Sequence, residues 1–200
     1  MKYPKLRELK EAIKALIMGP YTSSFPFKPH VPPKQFRGRP KYDDKECIGC
    51  LACENVCPAG AIDHEEIKRG DKQIRHITTH HDQCIFCGHC QVNCTTEKGI
   101  MLSNEFDLAT FDRKDSFHDV EKELALCECC GEVVACQDHL VWISKRLGSL
   151  SFSNPTIYLA HLKQLGVVDE NIQAAAEAMS RGDRMKILCV ECRRKASLEK

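Results

Sequence analysis

Two hundred residues, 42% of them hydrophobic and 28% charged, suffice for one compact domain and a smaller one. A formal net charge of +1 gives no reason to invoke nucleic acid, and no run of about 18 apolar residues is present to span a membrane as a helix. Fourteen cysteines in a chain this long and apolar, behind an N-terminus without the continuous apolar core of a secretory signal, point to metal ligands and not to a secreted disulfide scaffold.

Residues 1–41 read as an arm. Leu6, Leu9, Ile13, Leu16 and Ile17 share one face of a helix, with Lys5, Arg7, Glu8, Lys10, Glu11 and Lys14 around the rest, and Gly19-Pro20 ends it. From Pro20 to Pro40 six prolines, with Phe25, Phe27 and Phe36 between them, forbid a regular helix or central strand, because proline lacks the amide donor both need. The stretch is expected to be an extended strap with aromatic anchors. Through Glu46 it carries eleven Lys or Arg against five Asp or Glu. The helix packs on its own domain or docks on a partner at a membrane face, and the extended, aromatic strap favours docking.

Residues 42–112 hold the strongest pattern. Cys47-Ile48-Gly49-Cys50-Leu51-Ala52-Cys53 is followed by Cys57-Pro58, and the spacing recurs at Cys84, Cys87, Cys90 and Cys94. Four thiolates at the corners of a tetrahedron suit a 4Fe-4S cube. Two-residue gaps let one tight loop supply three of them, and in two-cluster ferredoxins the fourth cysteine ligates the other cube. The expected ligands are therefore Cys47, Cys50, Cys53 and Cys94 for the first cluster, and Cys84, Cys87, Cys90 and Cys57 for the second. Gly49 and Gly88 lie inside the loops, where a missing side chain lets backbone N–H groups approach sulfur. Thr95 stands where the first copy has Pro58, a small departure.

After each fourth cysteine a helical turn runs into a strand, through Ile62 in one copy and Ile100 and Met101 in the other. Ile67 and Gln73-Ile74-Arg75-His76-Ile77 flank a hairpin turn at Gly70-Asp71. This duplication implies a pseudo-twofold fold with the cubes as its core, and cluster ligation supplies much of its folding free energy. Zinc competes for Cys-x-x-Cys pairs, but a duplicated run with a distal fourth cysteine is not the usual zinc spacing. With each oxidised cluster and its thiolates near roughly −2, the loaded chain is acidic overall.

Residues 113–200 add two knuckles, Cys127-Glu128-Cys129-Cys130-Gly131 and Cys189-Val190-Glu191-Cys192. Cys127, Cys130, Cys189 and Cys192 make a tetrahedral thiolate site for zinc or for a single, rubredoxin-like iron. Cys129 and Cys136 are left over as buried or incidental thiols. The 58 residues between the knuckles read as a helical insertion. Leu140, Ile143 and Leu147 repeat at helix spacing after Asp138, Asn154-Pro155 starts a second helix, and Asp169 caps a third containing Ala174, Ala175, Ala176 and Ala178. The whole is an α+β chain: a pseudo-twofold, two-cluster bacterial ferredoxin-like domain with an N-terminal helix and strap, and a C-terminal four-cysteine knuckle domain.

His80, His81 and His89 lie near the second motif, where they tune a cluster or, more simply, are solvated surface residues. No Ser-His-Asp set, paired catalytic carboxylates, phosphate-binding glycine loop or nucleotide fingerprint is present, so no catalytic residue and no small-molecule substrate are expected.

The order of helix, strap with Phe36-Arg37-Gly38-Arg39-Pro40, duplicated motif with Cys84-Ile85-Phe86-Cys87-Gly88, and Glu105-Phe106-Asp107-Leu108-Ala109 resembles the two-cluster ferredoxin subunit shared by respiratory complex I and energy-converting membrane-bound hydrogenases. Ala125-Leu126-Cys127, Ala135-Cys136-Gln137 and the second knuckle are most similar to the iron–sulfur subunit of formate hydrogenlyase and related NiFe hydrogenases of group 4. The resemblance covers nearly the whole chain and is weakest over 138–188. It implies a non-catalytic electron-transfer subunit in a peripheral arm, on the cytoplasmic face of the inner membrane. Its implied partners are the hydrogenase small and large subunits and a module that donates or accepts electrons. The alternatives are the corresponding subunit of complex I or of another membrane-bound oxidoreductase, and a zinc-binding scaffold or regulator.

Overall fold

The computed structural model describes residues 5–19, 22–70, 72–168 and 185–198. It divides into two compact units, Met1–Phe36 and Arg37–Lys200. In the first, α1 (Leu6–Met18) begins where Lys5 is extended and its N–H donates to Glu8 Oε2 at 3.1 Å, which sets a carboxylate at the positive end of the helix. The helix ends where the Gly19 N–H donates to Ala15 O at 3.0 Å; Pro20, expected to help end it, lies outside the described residues. No residue of α1 is buried, and Leu6, Leu16 and Ile17 of its apolar stripe are exposed. From Thr22 to Phe36 the strap forms no helix or strand, only turns such as Lys28 N–H to Ser24 O at 3.0 Å.

In the second unit β1 (Pro40–Tyr42) pairs antiparallel with β4 (Ile100–Leu102), Pro40 opposite Leu102. The backbone contact begins before the strand: Gly38 N–H donates to Ser103 O at 2.9 Å and Ser103 N–H to Arg39 O at 3.0 Å. The last residues of the strap region thus belong to this unit. A four-stranded antiparallel sheet runs in the order β2 (Ile62–Arg69), β3 (Lys72–His80), β5 (Phe117–Leu126), β6 (Val133–Cys136). The β2–β3 hairpin sets Arg69 opposite Lys72 and turns at Gly70, where φ is +65°. Asp71, the other expected turn residue, is outside the described residues.

β5 lies within the expected C-terminal part, and its pairing with β3 crosses the expected boundary to the cluster-binding part. Its register with β3, from Ile74 opposite Glu123 to His80 opposite Phe117, builds the C-terminal part onto the ferredoxin-like half. Period-two alternation turns Val120, Lys122 and Leu124 inward, so a lysine occupies a core-facing position.

The first core gathers Ile62, Ile77, Ile100 and Val120 with Cys53 and Cys90, and Tyr42 packs against it. Cysteines are thus core residues in their own right. Thr79, fully buried, donates its hydroxyl to Tyr42 Oη at 2.9 Å, pairing two polar groups that would otherwise be unsatisfied. A second core of Ala125, Leu140 and Ala160 lies under α4 (Gln137–Leu147) and α5 (Pro155–Gln164). Both helices fall where the apolar spacing and Asn154-Pro155 place them. Asn154 caps α5 by accepting from Thr156 N–H at 3.2 Å. The third expected helix, with Asp169 and Ala174, Ala175, Ala176 and Ala178, lies outside the described residues. A last helix, α6 (Val190–Leu198), starts inside the second knuckle.

His118 on β5 accepts a hydrogen bond at Nδ1 from Tyr42 N–H at 3.4 Å, which requires that nitrogen to be unprotonated. Burial, reinforced by the nearby His81, Lys41 and Arg39, holds its pKa below 6.5. The unfolded chain therefore binds the proton first. The stability contributed by neutral His118 is complete above about pH 6.5 and lost as pH falls through the lower folded value. Denaturant midpoints of the anaerobic protein between about pH 7.5 and 5.5 are expected to fall with acidification, and a His118→Gln variant, which keeps an acceptor but does not titrate, to show a smaller fall.

Candidate metal centres

Two short helices, α2 (Ala52–Asn55) and α3 (His89–Val92), each begin within a cysteine loop. The loops share their left-handed positions. Gly49 (φ +68°) corresponds to Phe86 (φ +53°), and Leu51 (φ +62°) to Gly88 (φ +82°). Each loop thus needs two left-handed positions and has a glycine at only one of them. The non-glycine residue at the other costs about 1–2 kcal/mol. This conformation turns an N–H inward: the Phe86 N–H donates to Cys84 Sγ at 3.4 Å, and the Gly49 N–H likewise to Cys47.

A cavity inside the first loop is lined by Cys47, Cys50, Cys53 and Cys94, the last from the other motif. A second is lined by Cys84, Cys87, Cys90 and, in exchange, Cys57. Further donors reach the crossing cysteines. Ala61 N–H donates to Cys57 Sγ at 3.3 Å, and Cys94 Sγ lies 3.5 Å from Thr96 Oγ1. Burial opposes ionisation of Cys94, but the Thr96 hydroxyl and the N–H groups of Thr96, Ile100 and Gly99 outweigh it and lower the pKa. Deeper in, burial wins: it pushes Cys53 up to about 12, with the charge of Cys47 adding to it, and Cys90 up to about 11.

Four soft thiol donors around an apolar hollow, with inward N–H groups and buried sulfurs that resist ionisation unless a cation compensates them, fit an iron–sulfur cluster in each cage.

The third constellation is tighter. Sγ atoms of Cys127, Cys130, Cys189 and Cys192 all lie within 4.8 Å of one another, with Cys130 and Cys189 sulfurs 3.7 Å apart. Cys127 closes the first knuckle by accepting at its carbonyl from Gly131 N–H at 2.9 Å. The second is held by Glu128, whose N–H donates to Ile187 O at 2.8 Å, and by Thr156, whose Oγ1 accepts from Leu188 N–H at 3.2 Å. Burial raises the Cys127 pKa, yet the N–H groups of Cys130, Cys189 and Cys129 converge on its sulfur and bring it down to about 6. Cys129 stays exposed.

A family model described as a 4Fe-4S dicluster domain matches residues 33–98. Formate hydrogenlyase subunit 6 of Escherichia coli is 34% identical over 150 residues, 73% of this chain and 79% of that protein. NADH-quinone oxidoreductase subunit I 2 of Geobacter metallireducens is 31% identical over 118 residues, 56% of this chain and 89% of that one. The chain belongs to this 4Fe-4S dicluster family. Among solved structures, a chain of an archaeal membrane-bound sulfane sulfur reductase is similar at 28% identity and a TM-score of 0.41, over 58% of this chain and 61% of that one.

For a dicluster chain, the surroundings of the first loop hold what residue spacing does not reveal. Cys136, left over in the sequence pattern, is 0% exposed and sets Sγ 3.4 Å from Gly49 O. Arg75 Nη1 donates to the same carbonyl at 3.0 Å. Lys122 Nζ donates to Asp44 O, on the approach to Cys47. The histidines diverge: His89 is exposed, His80 lies 3.0 Å from Asp63 Oδ2, and His81 is 6% exposed, donating from Nε2 to Pro40 O at 3.1 Å. His81 is therefore no solvated surface residue. It lies two residues beyond the core-facing Thr79, so the alternation of β3 carries it inward.

A Cβ on Gly49 would lie 2.5 Å from Cys136 Sγ and 3.2 Å from Lys122 Cβ, at a φ that side chains resist. Gly88 is also at positive φ, but a Cβ there would meet only the end of Leu102, at 3.2 Å. Gly49→Ala is expected to lose the first cluster, with iron in the anaerobic protein falling by about half, whereas Gly88→Ala retains both, because Leu102 can move aside and the left-handed backbone costs only about 1–2 kcal/mol, as it does for Leu51 at the matching position.

Proposed function

We propose that the chain is an electron-transfer subunit of a membrane-associated hydrogenase complex of the formate hydrogenlyase kind. Cys47, Cys50, Cys53 and Cys94 hold one 4Fe-4S cluster, and Cys57, Cys84, Cys87 and Cys90 the other. The observation that carries this reading is the pair of cavities, each lined by three cysteines of one loop and the fourth of the other. When bound, such clusters take up and release single electrons. The chain's own part is to hold two such groups in one rigid core, to keep water from them with Ile48, Ile62, Ile77 and Ile100, and to aim N–H groups at their sulfur ligands. It is not itself a catalyst.

Cys127, Cys130, Cys189 and Cys192 bind zinc or a single iron in a structural role, since these four thiols close a full tetrahedral set and leave no open position. The match to formate hydrogenlyase subunit 6 extends over 150 residues, against 118 and 139 for two subunit I relatives, and supports the hydrogenase setting. In that setting the arm of residues 1–41 docks on neighbouring subunits, the hydrogenase small and large subunits among them, at the cytoplasmic face of the membrane. No helix among the described residues is long and apolar enough to cross one.

Anaerobic purification is expected to yield a brown protein with about eight irons and eight sulfides. A colourless protein with zinc and hardly any iron would end the electron-transfer reading. Cys94→Ser is expected to damage the cluster of the first loop and spare that of the second, while Cys192→Ser removes the C-terminal metal and leaves the cubane iron in place.

A further inference from the structure

The two cages are pseudo-symmetric in backbone but not in charge. Behind the first loop stand two cations on the inner strands of the sheet. Lys122 of β5 is 8% exposed; its Nζ donates to Asp44 O and lies 3.3 Å from Asp138 Oδ2. Arg75 of β3, its side chain 12% exposed, donates from Nη1 to Gly49 O and meets Glu66 Oε1 from Nη2 at 2.6 Å. Both pairs have the same polarity. The cation is on the loop side, and the carboxylates face solvent, Asp138 with 54% and Glu66 with 34% of the side chain exposed.

That polarity decides the net effect. Water and salt screen the exposed carboxylates far more than the buried cations, so each pair leaves a positive field at the cage. The second loop has a counterpart to only one of them. Arg37 Nη1 donates to Cys87 O at 3.1 Å, but Arg37 is exposed and its charge is screened. Among the described residues no lysine or arginine buried as deeply as Lys122 or Arg75 bonds to the second loop.

Reduction of a cubane by one electron adds one negative charge to its cage, and a fixed cation in low-dielectric surroundings stabilises that added charge. We propose that Lys122 and Arg75 are positioning residues that raise the reduction potential of the first cluster above that of the second, so that a single electron held by the chain resides in the first cage. Arg75 acts partly through the loop, since a guanidinium on the Gly49 carbonyl polarises the peptide that runs into Cys50. Gly49, Cys136 and Lys122 are packed too closely for water to enter between them and weaken the effect. The inference rests on the reading that both cages hold 4Fe-4S clusters.

The test is a potentiometric titration of the anaerobic full chain followed by electron paramagnetic resonance, with a Cys90→Ser variant, which keeps only the first cluster, to assign the signals. The wild type is expected to show two reduced-cluster signals, the first cage having the higher midpoint. Lys122→Met should shift that midpoint down and leave the other in place, and Lys122→Arg should restore it. Asp138→Asn, at an exposed position that tolerates replacement, should shift the first midpoint up by removing the opposing charge. Two clusters with equal midpoints, a higher midpoint in the second cage, or a first midpoint unmoved in Asp138→Asn and in Lys122→Met overturns this proposal alone. Should Lys122→Met fail to fold, an unmoved Asp138→Asn suffices to overturn it. A wild type with fewer than two 4Fe-4S signals overturns the electron-transfer reading and this inference with it.

Discussion

The exchange of one cysteine between the two motifs is the constraint on which the rest of the structure depends. Cys94 lines the cavity of the first loop and Cys57 that of the second, so neither half can close its cage alone. The short helices between loop and crossing cysteine, and the pairing of β1 with β4, follow from bringing these ends together. Packing at the seam is made from the same residues: Cys53 and Cys90 are core partners of Ile62, Ile77 and Ile100. On the proposed ligand assignment, a core in which the ligands are also the packing couples folding to cluster assembly. In the proposed loaded state this coupling sustains two non-glycine residues, Leu51 and Phe86, in left-handed backbone at a cost of about 1–2 kcal/mol each.

β5 is the element that gives the two halves unequal surroundings. One strand pairs with the ferredoxin-like hairpin through β3, contributes Val120 to its core, sends Lys122 behind the first loop and ends at Leu126, next to Cys127 of the C-terminal thiol site. Through β6 it also brings Cys136 onto the Gly49 carbonyl. The C-terminal part is therefore continuous with the first cage and serves as its outer wall. Exposed cross-strand ion pairs such as Arg69–Glu121 and Lys72–Glu123, both at 2.8 Å, contribute only roughly 0–1 kcal/mol each. Lys122 is a different case, because its burial costs several kcal/mol unless the Asp44 carbonyl and Asp138 compensate it.

Much of this was legible in the residue order where the signal is local. The cysteine spacing points to the cages, Gly70 to the hairpin, the prolines to the strap, and Asn154-Pro155 to the start of α5. These patterns are readable because ligand geometry, turn conformation and proline sterics act over a few residues. His81 was read less well. Its neighbours His80 and His89 are partly or fully exposed, and only the path of β3 into the core separates it from them.

By itself the amino-acid sequence determined the chemistry of the donor sets, the duplication and the element types, because each rests on spacing that the chain carries along its length. Which charges stand behind which cage was decided only by tertiary structure. Arg75 and Lys122 lie 26 and 73 positions beyond Gly49 and Cys136 lies 87 beyond it, and nothing in their local spacing marks them as neighbours. Strand register brings them to one carbonyl and its approach, and burial then gives a lysine and an arginine a field that an exposed residue of the same charge does not exert.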